Sequence, residues 1–456
     1  MIHLIRSNSF TDILGAPQWF LDYTARHLSI PIEVRQKKGA RFGKVWWHEG
    51  EPWGSLVHEN RVAAGLTPYV EKLAAHYGLQ HQTRDIRQRP EEQVPWWSLN
   101  VKWRPYQDDI HQKTCTTPTG IINAVPRSGK TLMAARVIDS IALPALYIAP
   151  SVAIVRQTYN VFVSHFGEHM VARLDGSAKP HERDIEKPIV IATTPSAVRQ
   201  SREWFDTRGV LIIDESHHSA AETYHRINLL AENVHYRYLF TGTNFRSGDD
   251  TLAMEAICSQ VIHRVTVSDL VPKYLAQPRV FFAPVKGPKV SAEDWRAAYD
   301  KGIVDYEPRN SLVVNLATML SQDNALPTIV LVRRRKHATL LAERIPNAVA
   351  VRGGEAALTN DSIEDFLAGK VQVLVGTTVL GEGVDVPRAA ALIYASGGAE
   401  GVSMLQSYFR PLTAHEGKDR AYIYDFIDSQ HRTLRRHSKQ RIDFARLHLG
   451  DCVNAP

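Results

Sequence analysis

Short apolar runs recur along this chain in two series, each run separated from the next by a stretch of helical period. The first series holds residues 120–122, 145–149, 188–192, 210–213 and 238–240; the second holds 328–332, 371–375, 391–394 and 422–424. Runs that are apolar throughout, rather than alternating with polar residues, suit strands covered on both faces. With helices between them they predict parallel, doubly wound sheets. The pattern therefore predicts an α/β chain with two similar domains in tandem, residues 93–266 and 267–456. The second opens on a connector near residues 267–310 that is rich in proline (Pro272, Pro278, Pro284, Pro288). Residues 1–92 stand apart: a helix-like segment, 68–77, leads to a charged linker at 84–93. Before it, Arg35, Lys37, Lys38, Arg41 and Lys44 are interleaved with Trp46, Trp47 and Trp53. This is read as a small α/β accessory domain that binds DNA, its tryptophans either stacking on bases or filling a small core.

Composition narrows the class. A chain of 456 residues exceeds one hydrophobic core, and 44% hydrophobic with 22% charged residues is ordinary for a soluble protein. No apolar stretch approaches the roughly 20 residues of a membrane span, and the N-terminus lacks a signal pattern, so a cytoplasmic protein without membrane partners is expected. Three widely spaced cysteines, Cys115, Cys258 and Cys452, exclude a paired disulfide framework and read as reduced thiols. A net charge of +6 favours a polyanionic partner. Two basic clusters are candidates for phosphate contact, against the alternative of a solvated helix face, which weighs equally for the second. One is Arg333, Arg334, Arg335 and Lys336; the other is Arg432, Arg435, Arg436, Lys439, Arg441 and Arg446.

The candidate chemistry lies in two short runs. Pro126, Arg127, Ser128, Gly129, Lys130 and Thr131 follow the run at 120–122 and precede a helix-like segment at 132–138. A loop between a strand and a helix N-terminus presents backbone amides and the positive end of the helix dipole to a polyphosphate. Lys130 would then reach the outer phosphates and Thr131 would ligate Mg²⁺. Asp214 and Glu215 end the run at 210–213; Asp214 would share the Mg²⁺ and Glu215 would polarise the attacking water. A lone Gly-Lys-Thr loop occurs in many nucleotide binders, and two acids after a strand also suit a solvated turn. Their conjunction, in this order, points to an enzyme that hydrolyses a nucleoside triphosphate.

The order of motifs resembles that of superfamily 2 helicases over nearly the whole chain. That resemblance implies two tandem RecA-like parallel-sheet motor domains, ATP with Mg²⁺ as cofactors, and the roles that follow. Arg104, Tyr106 and Gln107 would recognise adenine. Pro150, Ser151, Thr193 and Thr194 would grip nucleic acid from the first motor domain, and Arg333, Thr377 and Thr378 from the second. Thr241-Gly242-Thr243 would link hydrolysis to the DNA path. Gly383, Asp385, Gln406 and Arg410 would complete the ATP site from the second domain, so that ATP sits between the two. Two motifs depart from the family: Arg127 stands where a glycine is common in the phosphate loop, and Phe409 and Thr413 replace the glycine and the last arginine of motif six. Residues 65–70, 77–79 and 85–87 look like the small domain that precedes the motor in UvsW-like phage branch-migration helicases. The resemblance thus implies a motor acting on branched DNA or single-strand/duplex junctions, with replication or recombination proteins as candidate partners, in the host cytoplasm if phage-encoded; the oligomeric state is left open by the sequence, with a monomer favoured. A restriction-system motor and an ATP-latched nucleic-acid binder remain open alternatives.

Overall fold

The computed structural model describes residues 1–31, 53–88, 101–214, 221–242, 248–351, 356–377, 386–399 and 401–455. It divides into two compact units, Met1–Val125 with Gly129–Val265, and Pro126–Ser128 with Thr266–Pro456.

The first unit is organised by a seven-stranded sheet. Its spatial order is Val171–Leu174, Ile189–Thr193, Ala145–Ala149, Val210–Asp214, Tyr236–Thr241, Thr119–Ala124 and Val261–Val265, every pair parallel. Every residue of Ala145–Ala149, Ile189–Thr193 and Val210–Asp214 is buried, which explains why these strands read as unbroken apolar runs. Helices cover the faces, among them Lys130–Ile141 and Val152–Phe166. The second of these starts where the Ser151 hydroxyl accepts from the Ile154 amide, 3.3 Å away.

The same unit contains the N-terminal sheet, ordered Val57–His58, Arg61–Ala63, Phe10–Leu14, Ile2–Arg6 and His81–Asp85. Arg84 and Asp85 therefore belong to a strand rather than to the expected linker, and the helix-like segment is the helix Thr67–His76. The core of Leu4, Ile13, Phe20, Val62, Leu66 and Val70 also takes in Ala256, from the helix Gly248–Cys258 beside the larger sheet. Contact there is close enough that a side chain on Gly65 would lie 1.8 Å from the Glu255 carbonyl. Polar groups are buried at the same junction. Arg237 donates to Ser9 Oγ and Asn228 Oδ1, each at 2.6 Å, to the Val234 carbonyl at 2.9 Å, and to the Ala231 carbonyl. Tyr69 donates to Glu255.

The second unit repeats the parallel sheet, in the order Ala348–Val351, Val373–Gly376, Thr328–Leu331, Ala391–Tyr394, Arg420–Asp428, Gln277–Val285 and Val453–Asn454. One expectation is corrected here. The proline-rich connector contains a nine-residue strand, Gln277–Val285, paired along its whole length with Arg420–Asp428. The Gln277 amide donates toward that neighbour, to Asp419. Alternation then turns the nitrogens of Pro278 and Pro284 to the opposite edge, where, among the described residues, only Val280 and Phe281 have a partner strand. Proline is tolerated because no ladder bond is asked of it.

A second correction concerns the terminal basic stretch. Arg441 lies in the core, its guanidinium paired with Asp425 at 2.8 Å and bonded to the carbonyls of Gly398 and Phe426. Tyr408 donates to the same Asp425 at 2.6 Å, and Arg309 pairs with Asp428 at 2.8 Å. Arg441 is therefore an internal brace and is withdrawn as a phosphate contact. In the other cluster Arg334 and Lys336 form surface ion pairs with Asp300 and Asp305.

Candidate functional site

The carboxyl end of the first sheet gathers most of the residues singled out in that unit. Asp214 is level with Phe240, Thr241 with Asn123, and Ala149 with Thr193, so these strands finish along one edge. Thr119–Ala124 feeds the loop that ends in Lys130, and Val210–Asp214 lies two strands away across Tyr236–Thr241. At about 4.8 Å per strand the two runs start roughly 10 Å apart, the scale of a bound polyphosphate. Pro150 and Ser151 follow one strand of this edge; Thr193 ends another and Thr194 follows it, with Thr193 bonded to Ser196 at 2.9 Å.

The loop itself explains its residues. Gly129 has φ 84° and a side chain there would meet Gln107 Nε2 at 2.8 Å, so both conformation and space ask for glycine. Arg127 adopts φ 69°, the left-handed conformation that glycine takes without strain. An arginine side chain is thus carried on a backbone conformation that glycine adopts freely. Lys130 opens the helix Lys130–Ile141 and its ammonium donates to the Ala124 carbonyl at 3.3 Å, which holds the charge over the mouth of the loop. Gln107 is buried, and its Oε1 accepts from the Arg104 amide at 3.0 Å, while Arg104 donates to the Tyr106 hydroxyl at 3.0 Å. The helix bearing these residues, Pro105–Thr116, is fixed to the one after the loop: Arg136 pairs with Asp108 at 2.5 Å and lies over the Trp103 ring.

Asp214 is buried, and Tyr147 donates to its Oδ2 at 2.6 Å. Sequence reasoning missed this tyrosine. It sits inside the apolar run 145–149 and opposes Ile212 on the neighbouring strand, so the available signal was one hydroxyl in an otherwise aliphatic strand. An ionised carboxylate held by an O–H donor is a short, strong pair that fixes the rotamer of the acid. A carboxylate and the Thr131 hydroxyl are hard oxygen donors of the kind Mg²⁺ takes, so the residues fit that ion. Glu215 lies outside the described residues.

In the second unit Arg333 and Thr377 follow adjacent strands whose ends, Leu331 and Gly376, are level. Gln406 lies on the helix Gly401–Tyr408; Arg410 opens the short turn Arg410–Leu412 and is buried. Phe409 is fully buried, so the missing glycine of motif six has been replaced by a core side chain. Thr413 turns its hydroxyl back to the Arg410 carbonyl at 3.4 Å. Thr378, Gly383 and Asp385 lie outside the described residues.

Comparison with known proteins agrees with this architecture. Residues 100–246 match the family model "Type III restriction enzyme, res subunit", and residues 311–408 match "Helicase conserved C-terminal domain". The ATP-dependent DNA helicase uvsW of Enterobacteria phage T4 is 24% identical over 414 residues, which span 82% of this chain and 81% of that protein. The DNA 3'-5' translocase XPB2 of Sulfurisphaera tokodaii is 22% identical, spanning 75% of this chain and 88% of its own. Among solved structures, a fragment of a putative HsdR subunit of a type I restriction enzyme from Vibrio vulnificus shares the fold, with a TM-score of 0.58 at 17% identity over 83% of this chain and 71% of that one. With one matched domain on each of two parallel sheets, this chain is an ATP-hydrolysing DNA helicase of superfamily 2.

Proposed function

We propose that this helicase remodels branched DNA, forks or four-way junctions, in recombination, replication or repair. The observation that carries the reading is the N-terminal sheet, which shares a core and the buried Arg237 network with the first motor sheet. A body built so firmly onto a motor moves with it and suits a wedge or clamp on duplex arms. In this reading Lys130 binds the outer phosphates of ATP and the loop amides cradle them. Thr131 and Asp214 hold Mg²⁺, which supplies charge neutralisation on the phosphates, and Glu215 takes the proton of the attacking water. Arg104, Tyr106 and Gln107 hold the base. Gln406 and Arg410, with Gly383 and Asp385, are the second unit's candidates in catalysis. Pro150, Ser151, Thr193, Thr194, Arg333, Thr377 and Thr378 contact the phosphodiester backbone without reading bases, so sequence independence is expected.

The test is ATP-driven strand separation on fluorescent four-way junctions and forks, set against a plain linear duplex. The expected result is conversion of the branched substrates, abolished by Lys130→Ala in a protein of unchanged melting temperature. Equal action on all three substrates would leave a generic translocase. A second reading, the motor of a restriction system, is favoured by the family model matched over residues 100–246. It predicts ATP consumption that grows with linear duplex length and no separated strands.

A further inference from the structure

The terminal helix Arg432–Leu449 has two unlike faces. Leu434, Ser438, Arg441, Ala445 and Leu449 are buried against the sheet. Arg432, Arg435, Arg436 and Lys439, at helical spacing, are exposed and line a groove of about 850 Å³ together with Lys289 and His431. Among the described residues the rest of the groove's lining is neutral, and no carboxylate contributes to it. Among the described residues none of these four side chains enters an ion pair.

That arrangement is electrostatically unfavourable for the helix taken alone. Cations at 432 and 436, and at 435 and 439, repel at i, i+4. They also occupy the first two turns, near the positive end of the dipole, where the first turn carries no acid. The wall opposite is preformed: the Val290 amide donates to the Gln430 carbonyl at 2.9 Å, and Lys289 donates to the Ser429 carbonyl at 2.6 Å. Position matters as well. The groove is built from the segments that leave the carboxyl ends of Gln277–Val285 and Arg420–Asp428. It therefore lies on the same edge of the second sheet as Arg333 and Thr377, toward the other flank.

We propose that this groove seats a phosphodiester backbone and lengthens the nucleic-acid track of the second unit beyond the helicase motifs. Residues 432 to 439 cover about 10 Å of helix, which matches about three nucleotides of a duplex strand. An anion in the groove relieves the repulsion on the helix, and a polyanion does so at several cations together. The proposal rests on the reading of the chain as a DNA motor.

The experiment measures binding of full-length protein to a fluorescein-labelled fork across a salt series. Combined Arg435→Gln, Arg436→Gln and Lys439→Gln should weaken binding roughly tenfold near 0.1 M salt and reduce the slope of log K against log salt by about two to three. ATP turnover without DNA should not change. Arg446→Gln, an exposed cation of the same helix outside the groove, should leave both readouts at wild type. If the triple variant melts early, the pair Lys289→Gln and Arg432→Gln decides instead, with the slope expected to fall by about one to two. Wild-type affinity and slope in either variant would overturn the groove while leaving the motor intact. A wild-type protein that binds no DNA would overturn the motor reading beneath it.

Discussion

Two single side chains lead to predictions of different kinds. Tyr147 touches Asp214 and nothing in the motif vocabulary names it. In Tyr147→Phe the carboxylate keeps its place but loses a charge-assisted bond, a change of about 1.5–3 kcal/mol. Turnover should then require several-fold more Mg²⁺ for half-saturation; an unchanged Mg²⁺ titration would show that the tyrosine is only packing. His337 is fully buried, with Nε2 at 2.8 Å from Asn310 Oδ1. Burial, reinforced by Arg309 and Lys336, pushes its pKa down to about 3. Because the folded value lies below the ordinary 6.5, the neutral ring's contribution is complete above pH 6.5 and is lost as pH falls from there toward 3. The loss by pH 5 is about 2 kcal/mol. Urea unfolding at pH 7 and pH 5 should therefore show a larger drop for wild type than for His337→Gln. Equal drops would place the acid sensitivity elsewhere. The loop at 126–131 and Asp214 were legible from residue type and order alone, since few chemistries use that set. Tyr147 was not, because its role comes from strand pairing.

At the scale of elements, what the sequence disclosed depended on position in the sheets. The interior strands Ala145–Ala149, Val210–Asp214 and Ala391–Tyr394 are buried on both faces and stood out as apolar runs. Val171–Leu174, Val261–Val265, Ala348–Val351 and Val453–Asn454 escaped notice, and all four are edge strands. An edge strand need satisfy only one neighbour and can carry a half-buried His263, or a buried Arg173 that Asp175 and Glu182 pair with at 3.0 Å, which dilutes the pattern. The strand Gln277–Val285 alternates buried and accessible positions and carries two prolines, and so it read as a connector. The helix ending in motif six offers a test at this scale. Phe409 closes it from inside the core, so Phe409→Gly, though it restores the family residue, should cost about 4 kcal/mol from the lost side chain and the freed backbone. An unfolding free energy from urea titration within about 1 kcal/mol of wild type would mean that the core refills the gap.

Across the whole molecule, the N-terminal sheet cannot be treated as a detachable module. Removing residues 1–92 takes Ser9 from Arg237, whose pKa is already lowered to about 10 by burial, and uncovers Ala256 and Leu252. The truncated chain should therefore melt well below the full one, with ATP turnover lost in parallel on every DNA substrate. Ser9→Ala is the milder probe, expected to lower stability by about 1–3 kcal/mol at intact junction binding. A truncated protein with wild-type melting temperature would show the two sheets to be independent. A different consequence follows from the prolines of Gln277–Val285. Their nitrogens face the flank where, among the described residues, only Val453–Asn454 are paired, so most of that flank offers an interrupted row of amides. A foreign strand seeking to extend the sheet would find too few successive donors to register against. The second sheet is thus guarded against joining that of another copy of the chain.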